Sequence, residues 1–289
     1  MAVVYFAKVN INSNIYDVYK NPDLVNKILD ELLEHIDSEH LPIKINKEES
    51  IAFFDVEKNM DKHYVAGRLS KIFRDNIEIY NSKKNSVEPF STEDVVKSTL
   101  FFFDLRSEIV AFMTAQSISR KNFVSYFKIL LNSYTEDVKF EVFLKTNSRA
   151  LDEQIGRIGK VSKVDFTVVP PNSNEDEFND LFPRNGEEIK ETRATKLQQT
   201  LSSSKKDDGI NMGASFLRRI IEAVSKGFGA IKVIGETDDN HTLSASNYST
   251  PQKVIMPDKF KNDIAEFSNY AHSEIKSLIS SEKAYSMKE

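Results

Sequence analysis

Three groups of residues in this sequence have types and spacings that could do chemistry. Glu188-Ile189-Lys190 is an acid-x-Lys string. On adjacent strands, with a further acid, such a string lets carboxylates hold Mg²⁺ beside a lysine, as in a metal-dependent nuclease. Its surroundings are polar and helix-prone, so the strand that such a site needs is missing. Gly227-Phe228-Gly229 suggests a phosphate loop. However, the sequence has no Gly, four residues, then Gly-Lys-Ser/Thr. The glycines also follow a helical pattern and precede a strand, the reverse of a dinucleotide-binding turn, and Gly227 reads as a helix C-cap. The histidines (His35, His40, His63, His241 and His272) are scattered, and no His-Glu-x-x-His or Gly-x-Ser-x-Gly occurs. With no cysteine, disulfides, thiolate metal sites and cysteine nucleophiles are excluded. The expectation is a protein without catalytic residues, metal ligands or a cofactor.

The basic residues are more coherent. Lys83 and Lys84 lie in a polar turn, and Arg120, Lys121 and Lys128 along one predicted helix. Lys205 and Lys206 follow a serine run. Arg218, Arg219 and Lys226 lie along a second helix, where the spacing puts Arg219 and Lys226 on one face. Clusters of this kind neutralise phosphates without reading bases, which makes these ten residues the candidate DNA contacts. The plainer reading is solvated helix faces and loop tips. A formal net charge of −5 argues against a uniformly basic binder and requires the cations to segregate onto one face.

The elements that must position these residues follow from hydrophobic period. Residues 5–11, 50–56, 138–145, 163–169 and 230–235 read as strands, and 64–73 as a strand or short helix. Residues 99–104 and 108–114 form the best hairpin, its arms rich in Phe, Leu, Ile and Val. Asn21-Pro22 opens a helix carrying Leu24, Ile28, Leu32 and Ile36. Further helices start near Ser119 and cover 151–158, 215–225 and 258–281; 187–200 is polar and helix-prone, and 202–209 reads as a mobile loop. Helices and strands interleave without a regular βαβ rhythm. The class is therefore α+β, with mixed, largely antiparallel sheets packed with helices and a long C-terminal helix.

At 289 residues the chain is long enough for a sizeable core. The expected division is an α+β domain over 1–171, a linker or mobile segment over 172–209 with Phe178, Leu181 and Phe182 as a local anchor, and a C-terminal α/β segment over 210–289. No apolar run approaches the ~20 residues that span a bilayer. The longest, residues 99–115, is broken by Asp104, Arg106 and Glu108. The start lacks a signal-peptide pattern, so a soluble, cytoplasmic protein that is not itself membrane-embedded is expected.

Three stretches together resemble the RexA-like phage-exclusion proteins. They are Thr99-Leu100-Phe101-Phe102-Phe103 with Ile109-Val110-Ala111-Phe112, then Val164-Asp165-Phe166-Thr167-Val168-Val169-Pro170, and His241-Thr242-Leu243-Ser244-Ala245 before the C-terminal helix. The resemblance implies a fold similar to that of RdgC. It further implies a homodimer that binds double-stranded DNA without sequence preference, senses phage DNA intermediates and works beside a membrane effector. Two alternatives stand beside it. One is a nuclease using Glu188, Lys190 and an unidentified acid. The other is an interaction module that holds a partner through the acidic 172–191 segment or the C-terminal helix.

Overall fold

The larger of two sheets is built on β1 (Ala2–Ile11), whose central residues are buried on both faces. In the computed structural model, which describes residues 2–172, 175–182, 186–204 and 208–286, two helices follow, α1 (Ile15–Lys20) and α2 (Asp23–His35). Then come β2 (Ile43–Lys44), β3 (Glu49–Asn59), β4 (Tyr64–Asn81), β5 (Ser86–Asp104) and β6 (Ile109–Phe112). After α3 (Arg120–Leu131), β7 (Phe140–Leu144) returns to β1. The second sheet and its helices comprise α4 (Ser148–Gly156), β8 (Lys160–Val168), α5 (Glu175–Leu181), α6 (Gly186–Glu191), β9 (Leu197–Ser202), α7 (Ser215–Lys226), β10 (Gly229–Glu236) and β11 (Thr242–Ser246). The chain ends with β12 (Lys253–Met256), a 3-10 turn and the long helix α8 (Ile264–Ser286). The class is α+β with antiparallel sheets, as the sequence pattern predicts.

The large sheet has the order β12-β1-β6-β5-β4-β3-β2. β12 and β7 share one edge of β1, pairing with residues 2–5 and 7–11 respectively. Every residue from Leu100 to Phe103 is buried because this sheet is covered on both faces. Phe101 and Phe103 join the core under α2 and α3, while Leu100 and Phe102 pack with Phe267, Ala271 and Ile275 of α8. A two-sided burial of this kind turns alternation into a continuous apolar run. Phe123 anchors α3 by stacking on Phe112, ring centroids 3.8 Å apart.

β4 and β5 run on past the sheet. β3 pairs with β4 only as far as Phe73, and β6 pairs with β5 only over residues 101–104. After a register shift at Phe73/Asp75, residues 75–81 and 86–92 continue as a two-stranded ribbon. Its length is roughly 24 Å at ~3.4 Å per residue. The hairpin predicted over 99–114 is thus the short arm of a longer strand, and Lys83 and Lys84 sit in the ribbon's end turn.

The second sheet, β11-β10-β8-β9, is covered on one face alone. Val164, Phe166 and Val168 of β8 and Ile231 and Val233 of β10 pack against Leu217, Ile220, Ile221 and Val224 of α7. The alternate residues make an open, polar face. Phe178, Leu181 and Phe182 are buried in the same core. The described part of 172–209 therefore contributes α5, α6 and an edge strand rather than a bare linker, and the small sheet draws strands from all three predicted segments.

Several boundaries shift for identifiable reasons. Asn21 does not cap α2. Its amide closes α1 by donating to Asp17 and Val18 carbonyls, so Pro22 takes the cap position. Residues 187–200 are helical only to Glu191, because the free edge of β8 recruits residues 197–202 as a strand. The C-terminal helix begins at Ile264, where Asp263 Oδ1 accepts the Glu266 amide at 2.8 Å.

The two sheets meet at the end of α7. Gly227 closes that helix at φ 93°, as the C-cap reading predicts. Asn10 Nδ2 donates to the Gly227 carbonyl at 3.0 Å, and the buried Lys145 Nζ donates to the Lys226 carbonyl at 3.2 Å. Lys145 also pairs with Glu282 of α8 at 2.9 Å. A Cβ at position 227 would lie 2.5 Å from the Cβ of Lys8, in addition to the left-handed backbone penalty. Gly227→Ala is expected to cost more than the ~1–2 kcal/mol of the left-handed backbone alone, read as a lower urea midpoint at unchanged m value.

Candidate functional site

The open face of the small sheet is set by strand alternation. Across the strands one row reads Ser246, Lys232, Asp165, Thr200, and the next Ser244, Ile234, Lys163, Ser202. The third contains Ala230, Thr167 and Gln198. This face is rich in hydroxyls and has one amide, Gln198, and two lysines.

The N-terminus of α3 closes over one end of it, leaving a cleft of about 660 Å³. Ser119, Arg120 and Lys121 line one wall, Asp165, Thr167, Gln198, Thr200 and Lys232 the sheet side, and Asn247 and Tyr248 the end. The Ser119 hydroxyl caps α3 by accepting the Asn122 amide. The amides of Arg120 and Lys121, the first two of the helix, have no intrahelical acceptor and carry the positive end of its dipole. The Arg120 guanidinium lies 5.4 Å from the centre of the Tyr5 ring, which holds it on the large-sheet side of the cleft.

Asn247 is 1% exposed. Its Oδ1 accepts the Ile231 amide at 3.3 Å, but its Nδ2 has no hydrogen-bond partner. A buried donor without an acceptor costs about 1–3 kcal/mol, so it is rarely left so without reason. Burial raises the Tyr248 hydroxyl above its ordinary pKa. Asp165 is the one carboxylate in the cleft. Its carboxyl is held below the usual range by the Thr200 hydroxyl at 2.6 Å, by Lys163 at 2.9 Å and by the charge of Lys232. Three cations, Arg120, Lys121 and Lys232, line the cleft with that single acid.

Of the ten cations singled out in the sequence, the fold brings only Arg120 and Lys121 into this cleft among the described residues. Lys128 pairs with Glu141 at 3.4 Å, sharing that acid with Lys196. Lys84 pairs with Glu88 at the ribbon end, as Lys83 sits beside it. Arg218 pairs with Asp152 at 3.2 Å, while Arg219 and Lys226 line a separate cavity of about 310 Å³ with Asp180 and Glu222. Because α7 covers the opposite face of the small sheet, its cations point away from the cleft. Lys205 and Lys206 lie outside the described residues. Glu188 and Lys190 are on α6, where Lys190 is held by Glu175 at 2.6 Å and Glu187 at 2.8 Å.

Sequence reading missed Lys232, Thr200, Gln198 and Asn247. The alternation Lys163-x-Asp165-x-Thr167 opposite Val164-x-Phe166-x-Val168 could have marked β8 as having one polar face. Nothing local marks Asn247.

Fold and cleft together define an α+β protein with one helix-covered sheet face and one open, cation-flanked polar face. Among the described residues no helix is long and apolar enough to cross a membrane. The chain belongs to the family described as "Domain of unknown function (DUF4747)", which matches residues 3–272. No match was found among curated proteins.

Proposed function

We propose that this protein binds double-stranded DNA without sequence preference, as a component of a bacterial phage-exclusion system. The observation that carries the reading is the cleft itself: Arg120, Lys121, Lys232 and a free helix N-terminus beside a face of threonine, serine and glutamine. Those are the groups that hold phosphates and sugars and fix a duplex in place without reading it. The open face of the sheet carries no aromatic ring, the platform on which unpaired bases stack, so its chemistry suits a duplex backbone better than a single strand. The resemblance to RexA-like proteins extends the proposal to a homodimer working beside a membrane effector.

Fluorescence anisotropy with unrelated ~20-bp duplexes tests it. Similar affinities are expected, with log K falling against log salt at a slope of about −3 or steeper, since each neutralised phosphate contributes ~0.9. No duplex binding at low salt, or binding indifferent to salt, would sink the proposal.

A further inference from the structure

The cleft has more in it than an internal phosphodiester needs. A volume of about 660 Å³ is that of a small-molecule pocket, and a duplex ~20 Å across can only rest over its mouth. Yet Asn247, a residue 1% exposed, lines it and has a donor, Nδ2, with no partner. An internal phosphate stays with the duplex outside, whereas a group at the end of a strand can enter. We infer that the cleft seats a terminal phosphate monoester carried by a nucleotide, at a DNA end or on a free nucleotide. The inference rests on the nucleic-acid reading for its DNA source.

The chemistry of the lining favours a monoester. Near neutral pH it carries about −1.5 to −2 charges against −1 for a diester, and three acceptor oxygens. Arg120, Lys121 and Lys232 supply more positive charge than one diester would use. The free amides of Arg120 and Lys121 and the Asn247 amide supply uncharged donors. Asp165 opposes an anion, but its two oxygens are taken up by Thr200 and Lys163.

The experiment compares three DNA probes on the intact protein: a blunt 20-bp duplex with 5′-phosphates, the same duplex without them, and a closed minicircle. A nucleoside 5′-monophosphate is titrated separately by calorimetry. The phosphorylated duplex is expected to bind about 10-fold tighter than either other DNA. That preference should vanish in Asn247→Ala and in Arg120→Gln, a surface change that leaves the buried Asn247 intact. Equal binding of all three DNAs, without monophosphate binding, overturns the inference while leaving the duplex reading standing. Monophosphate binding without any duplex binding sustains the phosphate site and removes its DNA source. Binding of neither overturns both.

Discussion

Replacing Arg120, Lys121 and Lys232 together with alanine is expected to weaken duplex binding on the order of 100-fold at ~0.15 M salt. The magnitude follows from counterion release. Each lost phosphate contact removes about 0.9 from the salt slope, roughly 0.7 decades of affinity at that salt. Three contacts give about two decades and flatten the slope by nearly three units. Folding should be little affected: among the described residues these side chains contribute Arg120 over Tyr5, worth ~0.5–1 kcal/mol, and the charge of Lys232 near the Asp165 carboxyl. Arg218→Ala removes one charge from the helix-covered side, where Arg218 is paired with Asp152, and should change the slope by well under one unit. Asp165→Asn works in the opposite direction. It keeps an acceptor for Thr200 but removes the one negative charge in the cleft, so affinity should rise several-fold. The Asp165 carboxyl titrates below the ordinary range, chiefly through Thr200 and Lys163, so it stays ionised from pH 8 down to 5. The gain from Asp165→Asn should therefore hold across that window. Anisotropy titrations at four salt concentrations measure all of this. A triple variant with the parent slope would show that the duplex lies elsewhere.

The contrast between what was legible and what was not follows from the range of the forces involved. The start of α3 near Ser119 could be read because helix starts are local: the Ser119 hydroxyl reaches the amide three residues on. The strands β8 and β10 could be read because burial of one face imposes a period of two on each segment alone. β9 could not. Leu197 to Ser202 is polar, and it is a strand because β8 offers an unpaired edge, which is a property of another part of the chain. The cleft is harder still. It joins residues from 119–121, 165–167, 198–200, 230–232 and 246–248, which no sequence spacing relates. Arg120 and Lys121 were visible as charges, but so were Arg218 and Arg219. What separates the pairs is the face of the small sheet on which α3 and α7 lie, and that is decided by the tertiary packing. Asn247, in the turn Ser246-Asn247-Tyr248-Ser249, looks like any loop asparagine until it is found buried with an amide to spare.

Asn172→Ala is expected to destabilise the protein by about 2–6 kcal/mol, a large share of an ordinary domain's ~5–15 kcal/mol. β6 stops short of the end of β1, and past it the Asn172 side chain takes the place of a neighbouring strand. Its Oδ1 accepts the Ile11 amide at 2.6 Å and its Nδ2 donates to the Val9 carbonyl at 3.1 Å, with the residue 1% exposed. Alanine leaves both main-chain groups buried without partners, each costing ~1–3 kcal/mol. Urea unfolding should show a lower midpoint at unchanged m value. Asn172→Asp separates this bonding from mere packing. The new side chain can still accept from Ile11, but its second oxygen faces the Val9 carbonyl and can bond it only when protonated. Burial and that carbonyl both disfavour the ionised form, so the folded-state pKa must lie above the unfolded value of ~3.9. Between the two the folded state binds more protons, and stability falls as pH rises. The deficit of Asn172→Asp against the parent should be smallest near pH 4, grow as pH passes through the folded-state pKa, and then level off. A deficit that does not vary from pH 4 to 8 would mean that Asn172 fills space at the junction of the two sheets and does not extend the ladder of β1.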